Sequence, residues 1–402
     1  MRAPDLEEAG AALPALGTGP TLGHVLWAAA GAVGVDIEAT EPQAVTSSLS
    51  AARLLDLAPA RKVCVVLVDG LGWHNLMERA ELAPFLTRSG RLTRLTCAFP
   101  STTATNMAFL GTGAAAGATG MLGYTVREPA LGALLNLVSW GGGADPEDWQ
   151  PRRTVFERMS DVARTAVSVG PWRFDASGLT LAALRGAQFQ AAESLRDRVD
   201  AALSALEESD VDLVYLYWGD LDSAGHHHGW RSAQWGQELT QLDTELERLA
   251  RALPAGTTLL VTADHGMVDV PTHASAVFGG PARLDVAENE TLRRDVDLVA
   301  GEPRASHLYC RAGRAGAVRD AWRAELGERA WVLSRDEALR ADLFGPVDER
   351  FLTVIGDVVV AVRGDLAVHD SRTQTAASLK LIGMHGSLTP AETTVPLLVV
   401  EA

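Results

Sequence analysis

Carboxylate and imidazole side chains recur in four short segments of the sequence, and each segment offers ligands for a divalent cation. Asp222 and His226 are four residues apart, so on one turn of a helix they face the same side and can hold one metal ion. Asp264 and His265 are adjacent and directly follow an apolar run. The candidate ligands are Asp69, Asp222, His226, Asp264, His265 and His385.

This donor set predicts a particular kind of metal site. Aspartates and histidines without a thiolate suit Zn²⁺ or Mn²⁺ rather than an iron–sulfur cluster or Ca²⁺. The candidates are too many for one tetrahedral ion, but they divide naturally between two. Two divalent metal ions about 3.5–4 Å apart can clamp the attacking and leaving oxygens of a phosphoryl displacement. The sequence therefore predicts two bound cations, Zn²⁺ first and Mn²⁺ as the alternative.

Each of these residues also has a purely structural interpretation. Asp69 stands just before a glycine, so its carboxylate can simply cap the following helix, and Asp264 admits the same interpretation. An isolated histidine is usually structural or solvated, and His227 and His228 would point away from the helix face that carries His226. The histidines set aside on that ground are His24, His74, His273, His307 and His369. The combination of four ligand-bearing segments is what favours a metal site.

A hydroxyl-rich segment precedes a short helical pattern. Residues 99–106 read Phe-Pro-Ser-Thr-Thr-Ala-Thr-Asn, and the helical pattern continues over residues 107–111. Serine and threonine here can be ordinary N-cap residues. Alternatively, one hydroxyl is a nucleophile, which a metal ion would have to activate because a threonine hydroxyl is weakly nucleophilic at neutral pH. The N-terminus of the helix would add backbone N–H donors that favour a phosphate anion.

Buried parallel strands would bring these segments together. The runs over residues 62–68, 211–218 and 257–262 are rich in valine and leucine, as in strands buried on both faces, and each is followed by candidate ligands. Helical patterns lie between them, over residues 191–208 and 234–253. This alternation predicts an α/β fold with a doubly wound, mostly parallel sheet flanked by helices. In such a sheet the carboxyl ends of the strands share one edge, where ligands bind.

The chain divides into a main body and a small insertion. Residues 285–345 are charged and rich in arginine, and their short strand, helix and strand predict a small α+β insertion over the edge of the main sheet. Two apolar runs, at 358–362 and 395–400, predict a return to the main sheet. The predicted parts are an N-terminal segment (1–45) with a helix near 22–33, a catalytic core (46–284), an inserted cap (285–345) and the rest of the core (346–402).

Composition narrows the function classes. The chain has 402 residues and is 47% apolar, and 35 basic against 51 acidic residues give a net charge of −16, which disfavours nucleic-acid polymers as partners. Three unpaired cysteines indicate a reducing compartment, so we expect a cytoplasmic protein. The uncharged stretches at 9–35 and 95–126 are interrupted by Pro, Gly or Thr, so no membrane span is predicted. No pattern indicates an oligomeric state.

The motifs resemble those of the alkaline phosphatase superfamily, in its type I phosphodiesterase/nucleotide pyrophosphatase branch, from about residue 62 to residue 385. Phe99-Pro100, Thr103 and Asn106 fit the spacing of the nucleophile segment in that branch. The resemblance implies that Thr103 is the nucleophile and that Asn106 donates to a phosphoryl oxygen. It also implies two zinc sites, one formed by Asp222, His226 and His385 and the other by Asp69, Asp264, His265 and the Thr103 hydroxyl.

This sequence departs from the branch beside the nucleophile and after the first aspartate, so the substrate class is where it is expected to differ. No arginine lies near Thr103 in sequence, which favours diesters or pyrophosphates over the dianion of a monoester, unless Arg173 or Arg304 reaches the site. Aromatic side chains that could stack a nucleotide base, or simply pack, are Trp73, Tyr124, Trp172 and Phe174.

The predicted function is a metal-dependent hydrolase of phosphodiester or pyrophosphate bonds, acting on a small, nucleotide-like phosphate ester through a phospho-threonine intermediate. Two alternatives keep the same superfamily, a phosphonate hydrolase and a phosphomonoesterase. A metal-binding scaffold protein is the non-enzyme alternative, although no predicted ligand is missing. A dinucleotide-binding dehydrogenase is disfavoured because no Gly-x-Gly-x-x-Gly follows the first strand.

Overall fold

A computed structural model describes residues 19–39, 45–141 and 143–401. Strands within this part of the chain are β1 (Lys62–Val68), β2 (Arg91–Thr96), β3 (Thr125–Glu128), β4 (Ala133–Asn136), β5 (Thr165–Gly170), β6 (Gln188–Ala191), β7 (Val211–Trp218), β8 (Thr257–Thr262), β9 (Val268–Asp269), β10 (Arg283–Asp285), β11 (Val296–Glu302), β12 (Ala305–Cys310), β13 (Ala330–Ser334), β14 (Val358–Val362), β15 (Ala367–His369), β16 (Gly383–Met384) and β17 (Thr394–Glu401).

Helices alternate with these strands through much of the chain. They are α1 (His24–Ala32), α2 (Ser48–Leu54), α3 (Trp73–Glu78), α4 (Pro84–Arg88), α5 (Thr103–Thr112), α6 (Ala116–Thr119), α7 (Pro146–Trp149), α8 (Val155–Asp161), α9 (Gly178–Ala183), α10 (Leu195–Glu207), α11 (Asp220–His228), α12 (Ala233–Ala252), α13 (Glu290–Arg293), α14 (Ala315–Leu326), α15 (Arg335–Arg340) and α16 (Pro390–Thr393). None of the helices in the described ranges is both long enough and apolar enough to cross a membrane.

The main sheet has the strand order β2-β17-β8-β1-β7-β5-β6. Strand β1 lies in its middle and pairs in parallel with β7 on one side and β8 on the other. Strand β17 is antiparallel to both of its neighbours, and the remaining pairs are parallel. The predicted doubly wound, mostly parallel α/β sheet is therefore confirmed. Strands β1 and β8 are buried almost end to end, as expected of strands covered on both faces.

A second sheet forms most of the cap, in the antiparallel order β11-β12-β14-β13. Strand β14 belongs here, so the predicted return to the main sheet at residue 346 is wrong, and the cap extends beyond the predicted boundary at 345. The apolar run over residues 358–362 resembles a strand of the main parallel sheet because β14 is buried on both faces. Val358, Val360 and Val362 join the core of the cap, whereas Val359 and Ala361 face the main core. Sequence alone does not distinguish this from a strand of a parallel sheet.

The N-terminal helix is part of the main body. Every residue of α1 is buried, and Trp27 lies in the main hydrophobic core. A backbone bridge joins Thr21 to Thr96, at the end of β2. The predicted helix near residues 22–33 is thus confirmed, but the boundary at residue 45 does not separate it from the core. The rest of the predicted N-terminal segment, at 1–18 and 40–44, lies outside the described residues.

Candidate active site

The strand ends of the main sheet place the acidic and imidazole donors at one edge. Asp69 directly follows β1, the central strand, and Asp264 and His265 follow its neighbour β8. On the other side, β7 leads into α11, which carries Asp222 and His226 on successive turns. These donors, distant in sequence, meet because parallel strands end at a common edge.

One group of ligand atoms belongs to Asp222, His226 and His385. The His226 Nε2 atom lies 3.2 Å from Asp222 Oδ2 and 3.3 Å from the Nε2 atom of His385. The His385 Nε2 atom is 4.0 Å from Asp222 Oδ1. The i,i+4 spacing on α11 thus places both side chains on one face, and His385 approaches from the loop after β16.

A second group adjoins the first. Asp69 Oδ1 and Asp264 Oδ2 lie 3.3 and 3.4 Å from the Nε2 atom of His265. The Asp222 carboxylate is within reach of this group as well as of the first. The imidazole rings of His265 and His385 stack with 3.5 Å between their centroids, so the two groups are contiguous. All six predicted ligands therefore lie together.

Backbone carbonyls fix the tautomer of each histidine. The Nδ1 atom of His226 is 2.7 Å from the carbonyl oxygen of Gly383, and that of His385 is 2.9 Å from the carbonyl oxygen of Ser101. His265 makes the same contact with its neighbour, at 3.1 Å. A carbonyl oxygen only accepts, so each Nδ1 carries a proton, and in the neutral ring each Nε2 has a lone pair that a cation would bind.

Three carboxylate oxygens in the cluster are buried without a hydrogen-bond donor among the described residues. They are Asp69 Oδ1, Asp222 Oδ1 and Asp264 Oδ2. Buried acceptors are normally satisfied, and unpaired carboxylate charge is costly away from water. Divalent cations would satisfy these oxygens and the facing imidazole lone pairs at once. The donor set therefore fits divalent metal ions.

Without a cation, the cluster retains protons. Burial, and then the charge of Asp69, raise the pKa of Asp264 to about 8. Burial alone would lower the pKa of His265, but the carboxylates of Asp264 and Asp69 raise it to about 10. A divalent cation would displace these protons, so metal affinity should rise with pH.

The glycine after Asp69 allows the end of β1 to lie close to the Asp222 carboxylate at the start of α11. Gly70 has a φ of +74°, which favours glycine, and a Cβ atom there would lie 2.9 Å from Asp222 Oδ1. Its backbone N–H also donates to Asp264 Oδ1 at 3.2 Å. The residue after Asp69 thus leaves room for one carboxylate and orients another.

The hydroxyl segment reaches the cluster at the first turn of α5. Thr103 Oγ1 lies 3.3 Å from the Nε2 atom of His265, beside the orphaned carboxylate oxygens. All later residues of this helix are buried, which fixes the helix and therefore its first residue. The loop before it is held by Ser101, whose N–H donates to the Gly386 carbonyl oxygen at 3.0 Å. The loop that precedes α5 and the loop that carries His385 are thus joined by a backbone hydrogen bond.

Asn106 occupies a different environment from the one expected. Its side-chain nitrogen donates to the carbonyl oxygens of Ala98, Pro100 and Thr102, and its oxygen accepts the N–H of Ala98. The residue is fully buried. Its amide therefore holds the loop that precedes α5, and no donor is left to point toward a phosphoryl oxygen.

A cavity of about 500 Å³ opens beside Thr103 and contains two of the four predicted aromatic residues. Phe174 and Tyr124 line it, and Phe174 meets the ring of Tyr217 edge-on at 5.5 Å. Trp172 is 71% exposed and lies outside the lining. Trp73 instead lies under the guanidinium of Arg94, 5.0 Å from its ring centroid. The expectation that these two tryptophans face the site is not met.

The two arginines proposed for a phosphate clamp differ in position. Arg173 lines the cavity and forms no ion pair within the described ranges. Arg304 is fully buried, and its guanidinium binds both carboxylate oxygens of Glu392, at 2.7 and 2.8 Å. Only Arg173 is therefore placed to meet a substrate.

Two site residues were missed by sequence reasoning. The hydroxyl of Tyr217 donates to Asp69 Oδ2 at 2.5 Å, and Glu302 of the cap comes close to the His385 loop. The strand containing Tyr217 was identified, and its proximity to Asp69 follows once β7 is paired with β1. Glu302 carries no comparable signal, because it belongs to a different sheet.

Comparisons with known proteins agree with this geometry. Residues 63–388 match the type I phosphodiesterase/nucleotide pyrophosphatase family. Human ectonucleotide pyrophosphatase/phosphodiesterase family member 7 is 36% identical over 84 residues, which cover 20% of this chain and 18% of that protein. A phosphopentomutase from Chelativorans sp. (strain BNC1) is 29% identical over 177 residues, covering 41% and 40%. The matched segments thus span well under half of these curated relatives.

Solved structures are similar over most of the chain. Murine ectonucleotide pyrophosphatase/phosphodiesterase 5, as an inactive variant in complex with AMP, has a TM-score of 0.64 at 17% identity, covering 85% of this chain and 88% of that one. Phosphonoacetate hydrolase from Sinorhizobium meliloti 1021, in complex with phosphonoacetate, has a TM-score of 0.64 at 20% identity, covering 85% and 90%. These similarities establish the fold. The family match over residues 63–388 shows that the chain belongs to the type I phosphodiesterase/nucleotide pyrophosphatase family.

Proposed function

We propose that this protein cleaves phosphodiester or pyrophosphate bonds of small, nucleotide-like substrates, with Thr103 as the nucleophile and two divalent cations as cofactors. The observation that carries the proposal is the position of the Thr103 hydroxyl. It lies at the start of a buried helix, 3.3 Å from the Nε2 atom of His265, which in turn is 3.3 and 3.4 Å from the orphaned oxygens of Asp69 and Asp264. The donor set favours Zn²⁺, with Mn²⁺ as the alternative.

The chain's own groups account for most of the reaction. The N-terminus of α5 points backbone N–H groups at the place where a phosphoryl oxygen would lie, which favours an anion there. Thr103 Oγ1 attacks phosphorus and loses its proton as the new O–P bond forms. The bond to the leaving oxygen breaks, that oxygen takes up a proton, and water then cleaves the phospho-threonine to restore the hydroxyl. Bound divalent cations would supply positive charge to the phosphoryl group and lower the pKa of the hydroxyl.

The cavity beside Thr103 supports an organic leaving group with a flat, apolar part. Phe174 and Tyr124 offer aromatic surface, and Arg173 adds one positive charge at the wall. The murine structural neighbour was solved in complex with AMP. AMP has a flat base that could stack on aromatic rings and a negative charge that could meet an arginine. The preference for a diester rests on the family match over residues 63–388 and on the room for an organic group, because Arg173, which does line this cavity, could also bind the dianion of a monoester.

A phosphonate hydrolase is the second candidate. Phosphonoacetate hydrolase has the same fold, with a TM-score of 0.64 to 0.65 in complexes with two phosphonates. The positive charge of Arg173 would suit the carboxylate of such a substrate. This candidate uses the same nucleophile but breaks a carbon–phosphorus bond.

A substrate panel on the purified protein, together with its metal content, tests these proposals. The panel is bis-p-nitrophenyl phosphate, p-nitrophenyl phosphate, ATP, NAD and phosphonoacetate. We expect the diester and the two pyrophosphates to be cleaved fastest, with about two metal ions per chain. Chelation should abolish activity, and Zn²⁺ or Mn²⁺ should restore it. Fastest cleavage of phosphonoacetate would establish the second candidate instead, and a protein that binds metal without cleaving any substrate would refute both.

A further inference from the structure

Two cavities, rather than one, meet at the metal-ligand cluster. The first is the aromatic cavity of about 500 Å³ already described, and the second, of about 470 Å³, is a cleft between the main body and the cap. Both are lined by Thr102, Tyr124, His226 and His385. A phosphorus atom next to Thr103 would therefore have room for an organic group on either side.

The two cavities differ in charge. Among the described residues, and apart from the metal-ligand candidates, Arg173 is the only formally charged side chain that lines the aromatic cavity. The cleft is lined by two carboxylates, Glu302 and Asp370. Asp370 is neutralised by Arg372, which donates to both of its oxygens at 2.8 and 2.6 Å. Glu302 is therefore the one acid without an ion-pair partner among the described residues that line the cleft.

Glu302 is held in place from both sides. Its Oε2 atom accepts the N–H of Tyr124 at 2.8 Å, at the boundary between the two cavities. Its Cγ and Oε1 atoms lie against Gly386, where a Cβ atom would approach them to 2.5 and 2.7 Å. Gly386 has a φ of +128° and follows His385 directly, so the carboxyl group is fixed beside the metal-ligand loop.

The other oxygen of Glu302 lacks a partner. The side chain is only 7% exposed, and Oε1 meets no hydrogen-bond donor within the described residues. An unsatisfied buried acceptor costs free energy that a matching donor would recover. Burial also raises the pKa of Glu302 to about 8, and a donor or cation next to Oε1 would favour the ionised form.

We propose that the cleft takes the second organic group of a phosphodiester, and that Glu302, by turning its Oε1 atom from Gly386 toward the cleft, selects a group ending in a hydrogen-bond donor, either a hydroxyl or an ammonium. The substrate would thus have two unlike arms. A flat or apolar arm lies in the cavity with Phe174 and Arg173, and a donor-bearing arm lies in the cleft with Glu302. This inference rests on the proposed diesterase function and specifies its substrate class.

Three p-nitrophenyl phosphodiesters with second arms of similar size test it. The arms are 3-hydroxypropyl, 3-aminopropyl and butyl, and p-nitrophenolate release reports the rate. We expect kcat/KM for at least one donor-bearing arm to exceed that for butyl by about tenfold or more. Preference for the hydroxyl identifies a neutral alcohol, and preference for the amine identifies a cationic group. Equal kcat/KM for all three arms would overturn the inference.

Glu302→Gln separates selection from structural support. A glutamine can still accept the Tyr124 N–H through its oxygen, but it turns an amide N–H₂ toward the place of Oε1. We expect the preference for the 3-aminopropyl arm, which can only donate, to fall to less than about threefold while cleavage of the butyl ester persists; the 3-hydroxypropyl arm can accept from the new N–H₂ and is tested by Glu302→Asp. A purely structural role would lower kcat/KM for all three esters by the same factor and leave their ratio intact, which would refute the proposal. Glu302→Asp, which keeps the charge but shortens its reach, should also reduce the ratio.

Glu238→Gln is the matched control. That half-buried carboxylate also accepts one N–H, from the Trp218 indole at 2.9 Å, but it lines neither cavity. Its ratio of donor-arm to butyl kcat/KM should equal that of the wild type, and a similar loss there would show that the effect of Glu302→Gln is unspecific. If the wild type cleaves none of the three esters, the diesterase function itself fails. Cleavage of all three esters at equal kcat/KM refutes only the proposal that Glu302 selects a donor-bearing arm, and leaves the diesterase function standing.

Discussion

The edge of the main sheet and the cap both contain buried charges, but they use them in opposite ways. At the sheet edge, carboxylate oxygens of Asp69, Asp222 and Asp264 are left without donors. In the cap, Arg304 is fully buried and its ion pair with Glu392 is complete, with a further bond from its guanidinium to the Leu366 carbonyl oxygen at 2.6 Å. Buried carboxylates without hydrogen-bond donors indicate where a ligand would bind. A buried ion pair whose hydrogen bonds are complete, such as Arg304 with Glu392, instead stabilises the contact between the cap and the main body.

A buried histidine shows the same contrast. His307 of the cap uses both ring nitrogens, with Nε2 donating to the Leu122 carbonyl oxygen at 2.9 Å and Nδ1 accepting the Gly356 N–H at 3.1 Å. The cluster histidines satisfy only Nδ1 and leave Nε2 facing other ligands. The state of the second nitrogen therefore distinguishes a structural histidine from a ligand, although the two look alike in sequence.

Thr103→Ala is the strongest test of the sheet edge as the reactive region. Removing the hydroxyl should lower kcat by about 10³-fold or more, because the attacking oxygen of the proposed reaction is lost. The metal content should remain that of the wild type. Thr103→Ser, which keeps a hydroxyl, should recover part of the rate. Near-normal diester hydrolysis by Thr103→Ala would exclude this residue as the nucleophile.

Arg304→Met tests the buried ion pair between Arg304 of the cap and Glu392 of the main body. Leaving Glu392 buried without its partner should lower the free energy of unfolding by about 3–5 kcal/mol. The double variant Arg304→Met with Glu392→Leu should lose less, because no charge is left unpaired. Urea unfolding measures both. Arg251→Met is the control, because its pair with Glu247 is exposed and worth under about 1 kcal/mol. If Arg304→Met and Arg251→Met lower the free energy of unfolding equally, the buried ion pair contributes no more to stability than the exposed one.

His307 makes the cap sensitive to acid. Burial lowers its pKa from 6.5 to about 4, so between these values the unfolded chain binds a proton that the folded chain does not. Stability is therefore fully present above pH 6.5 and is lost as the pH falls toward 4, by up to about 3 kcal/mol. His307→Gln should flatten this part of the pH profile of unfolding, measured on metal-free protein. An unchanged slope would show that His307 is not the titrating group.

Arg173→Ala should have the smallest effect. The guanidinium is exposed and screened by water, so its loss should raise KM for an AMP-type ester by about fivefold and leave kcat nearly unchanged. Arg88→Ala, an arginine at the end of α4 that lines neither cavity, is the control. A large fall in kcat for Arg173→Ala would instead give this residue a part in stabilising the transition state.

The metal-ligand candidates could be found from the sequence because each has a local signal. Asp69, Asp264 and His265 follow apolar runs, and Asp222 and His226 have helical spacing. The role of Asn106 stays a prediction from a spacing match, which does not show what an amide binds, and here its side-chain nitrogen donates to carbonyls of its own loop. Trp73 and Trp172 follow strand ends as expected, yet their rings turn away from the cavity.

By itself, the sequence determined the mostly parallel sheet and the donors that would meet at its edge, because buried strands and helix spacing are periodic features that a short window reveals. Only the tertiary structure decided the rest. It places β14 in the sheet of the cap and Glu302 in the lining of the cleft. It also pairs Arg304 with the carboxylate of Glu392, 88 residues away. These contacts arise where one sheet packs on another, and their partners are far apart along the chain, so no local pattern records them.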